Sequence, residues 1–308
     1  MIKFFKKLFF KFTNKKKYED FKASEDTKKN LEIYKAKYET EIENIYKKIN
    51  SNEELNFSHC GHVGDIINAL PVIKELSKKH VCKLYIKINT PLNVYYHKHP
   101  SNNVFINRET YDKLLPLLKQ QKYIKKIDIF SGQKIDIDFD LIRKLPVNLL
   151  FDNIKYSFLI TGLHPDYESK YLDVDQNNVF NNYVVIQRTF RYRNPYIDYK
   201  FLNKYDNLLF VGTRNEFEDM KKEVKNLKFY DCKDFLEIAE IIKSSKFFIA
   251  NSSSCFPIAE ALKVPRLLEG CPYYPAAQPH GNNAFDFYFQ PHFEKWFEHL
   301  YNLKRNND

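Results

Sequence analysis

The residue types with the clearest potential for chemistry stand together in the loop Gly61-His62-Val63-Gly64-Asp65. Two of only seven glycines in the 308 residues lie here, so we expect a tight turn. A carboxylate at such a turn can accept a proton from a reacting hydroxyl. The loop therefore predicts Asp65 as the catalytic residue. Gly61, His62 and Gly64 would form the loop around it, and His62 could also contact a ligand or act as a base.

A second candidate site consists of four small polar residues in a row, Asn251, Ser252, Ser253 and Ser254. They follow the apolar run Lys246–Ala250 and precede a helical pattern. Backbone N–H groups at a helix start, together with three hydroxyls, suit the oxygens of a phosphate. We interpret the four residues as a phosphate-binding site; a plain helix cap, which needs only one of them, is the alternative.

Polar and charged side chains after other predicted strands could extend this phosphate site. Arg188 follows the strand Tyr183–Gln187, and Thr213 and Arg214 follow the strand Asn207–Val211. Arginine can hold a phosphate through two parallel hydrogen bonds. The alternative is a solvated loop with ordinary charges. Glu260, in the helical pattern after the serines, could bind a ribose diol or lie on a solvated helix face.

The elements that must position these residues alternate between strand and helix. Apolar runs bounded by glycine or polar residues predict strands, and helical periodicity separates them. The alternation predicts parallel sheets in an α/β protein with two Rossmann-like domains and a cleft between them. Domain boundaries are predicted at residues 1–50, 51–175, 176–290 and 291–308: a basic amphipathic helical extension, two Rossmann-like domains and a C-terminal helix. The short run Val147–Phe151 is also predicted as a strand.

Composition excludes several other classes of protein. A hydrophobic fraction of 44% and an aromatic fraction of 16% are ample for a folded core. The five cysteines form no close pair and no zinc-type spacing, which indicates reduced thiols, no metal site and no cofactor. The patterns of a P-loop, a dinucleotide-binding glycine motif and a serine nucleophile elbow are all missing.

The net charge of +10 is concentrated at the N-terminus, where residues 1–17 contain seven lysines and no acid. The rest of the chain is only mildly basic, which argues against nucleic acid as a partner. At helical spacing, apolar residues occupy one side of this segment and lysines the other. The apolar side comprises Ile2, Phe4, Phe5, Leu8, Phe9 and Phe12. The pattern favours an anionic membrane surface as partner; packing on the protein's own body is the alternative.

These motifs, in this order, resemble glycosyltransferase family 9, the ADP-heptose:lipopolysaccharide heptosyltransferases. The carrying residues are Gly64-Asp65-Ile66-Ile67-Asn68-Ala69-Leu70-Pro71, the turn Asn251–Ser254 with the helix Pro257–Leu262, and Gly270-Cys271-Pro272. Asn251 stands where the family usually has Asp, and Cys255-Phe256 where it usually has a His. The resemblance covers roughly residues 55–290.

The resemblance implies a GT-B architecture and a nucleotide-diphosphate sugar donor, with no required metal. Residues 51–175 would then be the acceptor domain, with Gly61, His62 and Gly64 as its acceptor loop, and residues 176–290 would be the donor domain. The donor-binding residues would be Arg188, Thr213, Arg214, Asn251, Ser252, Ser253, Ser254 and Glu260. Asp65 would act as general base in an inverting transfer of a heptose or hexose, with Arg188 and residues 252–254 at the leaving diphosphate. The acceptor would be a glycolipid or other surface glycan, and the protein would be cytoplasmic and peripheral at the inner face of the membrane. A catalytically silent sugar-nucleotide-binding protein docked on the membrane is the alternative.

Overall fold

Two separate parallel sheets organise the chain, in a computed structural model that describes residues 2–93, 101–176 and 178–303. The first sheet has the order β3-β2-β1-β4, with β1 at Glu54–His59, β2 at Val81–Ile86, β3 at Lys126–Ile129 and β4 at Ile137–Asp138. The second has the order β10-β9-β8-β5-β6-β7. Its strands are β5 Val184–Gln187, β6 Leu208–Val211, β7 Lys228–Tyr230, β8 Phe247–Asn251, β9 Arg266–Glu269 and β10 Ala284–Phe287.

Every strand pair within these sheets is parallel. Strands β5, β6, β8 and β9 are buried at all their positions, since helices cover both faces of the sheet. Their continuous apolar runs are the reason the sequence predicted them well. The predicted α/β fold with two Rossmann-like domains is thus confirmed. The predicted strand Val147–Phe151 is wrong, because residues 147–151 form an irregular loop with no strand residue.

Helices connect the strands and join the two lobes. In the first lobe they are α4 (Val63–Leu76), α5 (Arg108–Lys119) and α6 (Lys155–Thr161), with a 3-10 helix at Phe139–Arg143. In the second they are α7 (Arg214–Met220), α8 (Phe235–Ser244), α9 (Phe256–Leu262) and α10 (Gln290–Tyr301). Helix α4 packs on α9 and α5 packs on α8, so one apolar core runs through both lobes.

An N-terminal helical extension precedes the first sheet. It comprises α1 (Ile2–Thr13), α2 (Lys15–Ile33), a five-residue π-helical segment at Tyr34–Tyr38, and α3 (Glu39–Ser51). Helix α1 folds back along α2, with Phe10 against Phe21 at a ring-centroid distance of 6.0 Å and Lys3 Nζ 3.0 Å from Glu25 Oε2. Helix α3 docks on α6 and buries Ile45.

The predicted N-terminal basic segment and the predicted C-terminal helix are each described only in part. Met1 of the basic segment and residues 304–308 of the predicted C-terminal segment lie outside the described residues. Within the described part, α10 packs on β10 and β9 and so belongs to the second lobe. No helix there combines the length and the apolar character that crossing a membrane requires.

Candidate functional site

A cavity of about 300 Å³ lies between the two lobes and is lined by both. Its walls follow the carboxyl ends of four strands: Asp65 comes after β1, Arg143 after β4, Arg191 after β5 and Ser252–Ser254 after β8. In each sheet these strands are the neighbours at which the strand order reverses, β1 with β4 and β5 with β8. Ligands of open α/β sheets bind at such switch points. The topology therefore brings two independent binding edges to one cavity.

Asp65 lies in the first turn of α4, and one of its two carboxylate oxygens accepts two hydrogen bonds. Asp65 Oδ2 accepts a hydrogen bond from the His62 backbone N–H at 3.0 Å and another from Arg143 Nη2 at 2.9 Å. A side chain on Gly61 would collide with it, since an added Cβ would stand 2.6 Å from Asp65 Cβ. Gly61 itself does not line the cavity; it makes room for the carboxylate to fold back on the loop.

The electrostatic setting keeps Asp65 ionised. Burial alone would raise the pKa of its carboxyl group, but the positive charge of Arg143, the nearby histidines and the His62 N–H outweigh it and hold this pKa below its usual value. The side chain is still 28% exposed, so a substrate hydroxyl can reach it. Asp65 is thus an ionised, solvent-accessible carboxylate at the cavity wall.

His62 and Gly64 also line the cavity. His62 Nδ1 lies 3.0 Å from the backbone oxygen of Phe105, so this nitrogen carries the proton and donates it to the carbonyl. Burial lowers the pKa of the imidazole, although Asp65 opposes the shift. Gly64 has a different role, because an added Cβ would lie 3.3 Å from Pro257 Cγ of helix α9. It lets the two lobes approach each other beside the site.

On the opposite wall, Ser252, Ser253 and Ser254 line the cavity as a group. The Ser253 hydroxyl oxygen is buried, and the part of the chain that the structure describes supplies no hydrogen-bond partner for it. A buried hydroxyl without a partner costs free energy unless a ligand or water satisfies it. This observation favours a bound polar ligand at the serines over a simple capping role.

Asn251 does not extend into this group but shapes the loop beside it. Its side-chain amide donates to the backbone oxygens of Thr189 at 3.1 Å and Arg191 at 2.7 Å, and its Oδ1 accepts the Thr189 N–H at 3.0 Å. These bonds hold the loop that presents Arg191 and Tyr192 to the cavity. The charge of Arg191 reaches across the cleft, where it helps to lower the pKa of His62.

Three other predicted donor-binding residues are not brought to the cavity. Arg188 is buried, with Nε 2.7 Å and Nη2 2.9 Å from the two carboxylate oxygens of Glu269. Thr213 caps α7 by accepting the Glu216 N–H, and the Arg214 guanidinium covers the ring of Phe229 at 4.0 Å. These contacts give all three residues structural roles.

Glu260 does line the cavity, but its carboxylate is already engaged. Arg266 Nη2 lies 2.6 Å from Glu260 Oε2, Lys263 pairs with the other oxygen, and the His280 N–H donates at 3.2 Å. The predicted ribose contact would have to compete with two cations for the same oxygens. The structure thus makes Glu260 a buried ion-pair centre beneath the cavity wall.

Arg143, Asp152 and Arg191 line the cavity, although none of them is among the predicted site residues. His280 Nε2 lies 2.6 Å from Asp152 Oδ2, linking the two lobes, and stacks on Tyr167 at 4.2 Å. Arg191 was within reach of a sequence argument, being three residues after Arg188 in the same loop. Arg143 gave no such signal. Among the described residues, no group of three His, Cys, Asp or Glu side chains is arranged to hold a metal ion.

The two lobes and the interlobe cavity define the glycosyltransferase GT-B class of fold. Neither a protein-family model nor a curated protein sequence matches the chain. Among solved structures, the chain is similar to a glycosyl transferase of family 9 from Veillonella parvula. The two share 9% identity with a TM-score of 0.52, and the match covers 83% of this chain and 91% of that one.

It is also similar to the E. coli heptosyltransferase WaaC with ADP-2-deoxy-2-fluoro heptose. Here the identity is 9% and the TM-score 0.54, covering 80% of this chain and 99% of that one. The structure of the same enzyme with ADP gives the same values. At this identity the similarity concerns the fold. The predicted resemblance to glycosyltransferase family 9 is confirmed at that level.

Proposed function

We propose that the protein is an inverting glycosyltransferase that moves a heptose or hexose from a nucleotide-diphosphate donor to a glycan or glycolipid hydroxyl. The observation that carries the proposal is the cavity itself. An ionised carboxylate on one lobe faces a cluster of hydroxyls and a guanidinium on the other, at the switch points of two parallel sheets. The E. coli neighbour is described with ADP and with an ADP-linked sugar, which supports a donor of this class.

In the proposed reaction, Asp65 accepts the proton of the acceptor hydroxyl as its oxygen attacks the anomeric carbon. The bond from that carbon to the donor's diphosphate oxygen breaks, and its electron pair leaves with the diphosphate. Attack from the side opposite the leaving group inverts the anomeric centre. The serine hydroxyls and Arg191 stabilise the charge that develops on the leaving group, without a required metal. Arg191 takes the role that the sequence assigned to Arg188.

The N-terminal extension supports a membrane-bound acceptor. On α1, the side chains of Phe4, Phe5, Leu8, Phe9 and Phe12 are 65%, 60%, 42%, 63% and 77% exposed. Phe10 is the one that packs on α2. Apolar rings left in water beside a run of lysines suit the headgroup region of an anionic bilayer. We therefore propose that the protein works at the inner face of the membrane, with its cavity supplied by a glycolipid.

Asp65→Asn tests the reaction, because it keeps the size of the side chain and removes the proton acceptor. We expect kcat to fall by at least about 100-fold, a usual scale for a lost general base. Binding of ADP, measured by calorimetry, should persist, since the donor wall is on the other lobe. Transfer is followed by mass spectrometry of a glycolipid acceptor with ADP-linked and UDP-linked sugars in parallel.

Two outcomes would contradict the proposal. Unchanged turnover in Asp65→Asn removes this residue from the reaction. Tight ADP binding with no transfer to any acceptor favours the alternative function, a silent sugar-nucleotide-binding protein. A chelator added to the wild-type assay tests metal independence separately: loss of activity restored by Mg²⁺ would make a metal part of the reaction.

A further inference from the structure

The guanidinium of Arg143 lies between two carboxylates. Its Nη2 donates to Asp65 Oδ2 at 2.9 Å, and its Nη1 donates to Asp140 Oδ1 at 2.6 Å. Asp140 and Arg143 are three residues apart on the 3-10 helix after β4, so one short element supplies both. The ring of Phe105 covers the guanidinium at 4.8 Å. The two carboxylates and the Phe105 ring therefore hold the guanidinium of Arg143 in one orientation.

Asp140 is a buried anchor for this arrangement. Its side chain is 8% exposed, and its carboxylate also accepts the Cys60 N–H at 3.1 Å and a bond from Lys87 at 3.2 Å. Lys87 is bound more closely to Asp138, at 2.8 Å, so Arg143, at 2.6 Å, is a closer partner of Asp140 than Lys87 is. Burial alone would raise the pKa of Asp140, but His59, whose Nδ1 is 3.2 Å from Oδ1, and Arg143 hold this pKa well below the usual range.

We propose that Arg143 and Asp140 are positioning residues for the reaction of Asp65: Arg143 aims the carboxylate, and Asp140 shares the charge of Arg143 so that Asp65 can still accept a proton. This inference rests on the proposed function for its consequence in catalysis. The predicted effects of Arg143 and Asp140 on the charge state of Asp65 do not depend on the proposed function.

The need for a shared charge follows from the proton transfer. An arginine paired with one carboxylate alone strongly favours the ionised form and makes that carboxylate a weak base. When Asp65 takes the proton, its attraction to Arg143 is lost. With Asp140 on its other side, Arg143 keeps a counter-ion and is not left as an uncompensated, partly buried charge, a costly state.

The two residues therefore have opposite effects on Asp65. Arg143 stabilises the ionised form, whereas Asp140 weakens that stabilisation by drawing on the same guanidinium. Other charged or titratable groups also face this cluster. They are His59, His62 and Tyr156 around Asp65, and His59, Cys60, Lys87 and Asp138 around Asp140.

The experiment measures the pKa of Asp65 directly, by NMR titration of protein labelled at the aspartate carboxyl carbon, with the signal assigned through Asp65→Asn. In Arg143→Gln we expect this pKa to rise, because the cation is removed. In Asp140→Asn we expect it to fall, because Asn can still accept from Arg143 but the charge of Arg143 is no longer shared. Lys144→Gln is the matched control: it removes one positive charge at the neighbouring, exposed residue and should leave Asp65 unchanged.

Shifts in the same direction in both variants, or no shift in Arg143→Gln, would overturn the inference. If Asp140→Asn does not fold, the Arg143→Gln titration still decides the effect of Arg143 on Asp65, and a pKa that does not rise there overturns the inference. The pH profile of kcat gives the second readout: its acidic limb should move up in Arg143→Gln and down in Asp140→Asn, with kcat reduced on the order of 10- to 100-fold through misplacement. If the pKa of Asp65 rises in Arg143→Gln and falls in Asp140→Asn as expected, but the wild type transfers no sugar from any donor, the proposed function is contradicted and the inference about Asp65 is not.

Discussion

At the residue scale, the position of Arg188 after a strand was predicted correctly, but its predicted contact with the donor phosphate is not seen. It directly follows β5, where a phosphate-binding arginine is expected. Its guanidinium instead completes a buried cluster in which Glu269, fully buried, accepts from Arg188, from the Asn194 N–H at 2.7 Å and from the Tyr199 hydroxyl at 2.8 Å. The cluster ties the loop after β5 to the end of β9. It supports Arg191 in the cavity without contacting a ligand itself.

We therefore predict that Arg188→Ala destabilises the protein without a specific effect on donor binding. Removing one partner of a buried ion pair leaves Glu269 uncompensated, at a cost of about 3–5 kcal/mol in the free energy of unfolding. Urea denaturation measures this cost. Arg214→Ala is the comparison, since Arg214 is exposed and the loss of its contact with Phe229 should cost no more than about 1 kcal/mol. Wild-type stability with lost ADP binding in Arg188→Ala would instead restore the donor role.

At the element scale, the sequence predicts strands and helices that have a local apolar pattern, but it does not predict contacts between residues far apart in the chain. Strands β5, β6 and β8 begin and end within one residue of prediction, because apolar periodicity is a local signal. Strand β10, Ala284–Phe287, was missed because it is short and only one of its four positions is buried. Arg143 is 78 residues from Asp65, and Arg188 is 81 from Glu269. No local pattern reveals such pairs. The sequence could therefore predict which loops after the strands line the cavity, but not which side chains in those loops are paired with each other.

Helix α1 carries the prediction that belongs to this scale. Replacing Phe4, Phe9 and Phe12 with Ser should weaken binding to anionic vesicles by at least about tenfold, because burying each ring in a bilayer is worth about 1.5–3 kcal/mol. Co-sedimentation with phosphatidylserine-containing vesicles measures the effect. Leu at the same three positions should retain binding, and neutral vesicles should bind the wild type less. Full binding by the Ser variant would mean that α1 is not the membrane contact.

At the scale of the whole molecule, activity depends on how closely the two lobes approach. Their contact beside the cavity is α4 on α9, and Gly64 is the residue that permits it: an added Cβ would lie 3.3 Å from Pro257 Cγ and 3.7 Å from Ser254 Cα. A single methyl group there requires a shift of a few tenths of an ångström. A larger side chain must move one lobe away from the other, and with it the carboxylate of Asp65 away from the serines.

A graded series at Gly64 tests this dependence. Gly64→Ala should lower kcat only slightly, whereas Gly64→Leu should lower it on the order of 100-fold, the cost of misplacing reacting groups by about 1 Å. Ala and Leu are both better helix formers than Gly, so a loss cannot be attributed to a weaker α4. Glu75→Leu adds the same apolar group on an exposed face of α4 and should leave kcat unchanged. Equal rates for all three variants would show that transfer does not need this close contact, and the reacting groups would then have to be sought within one lobe.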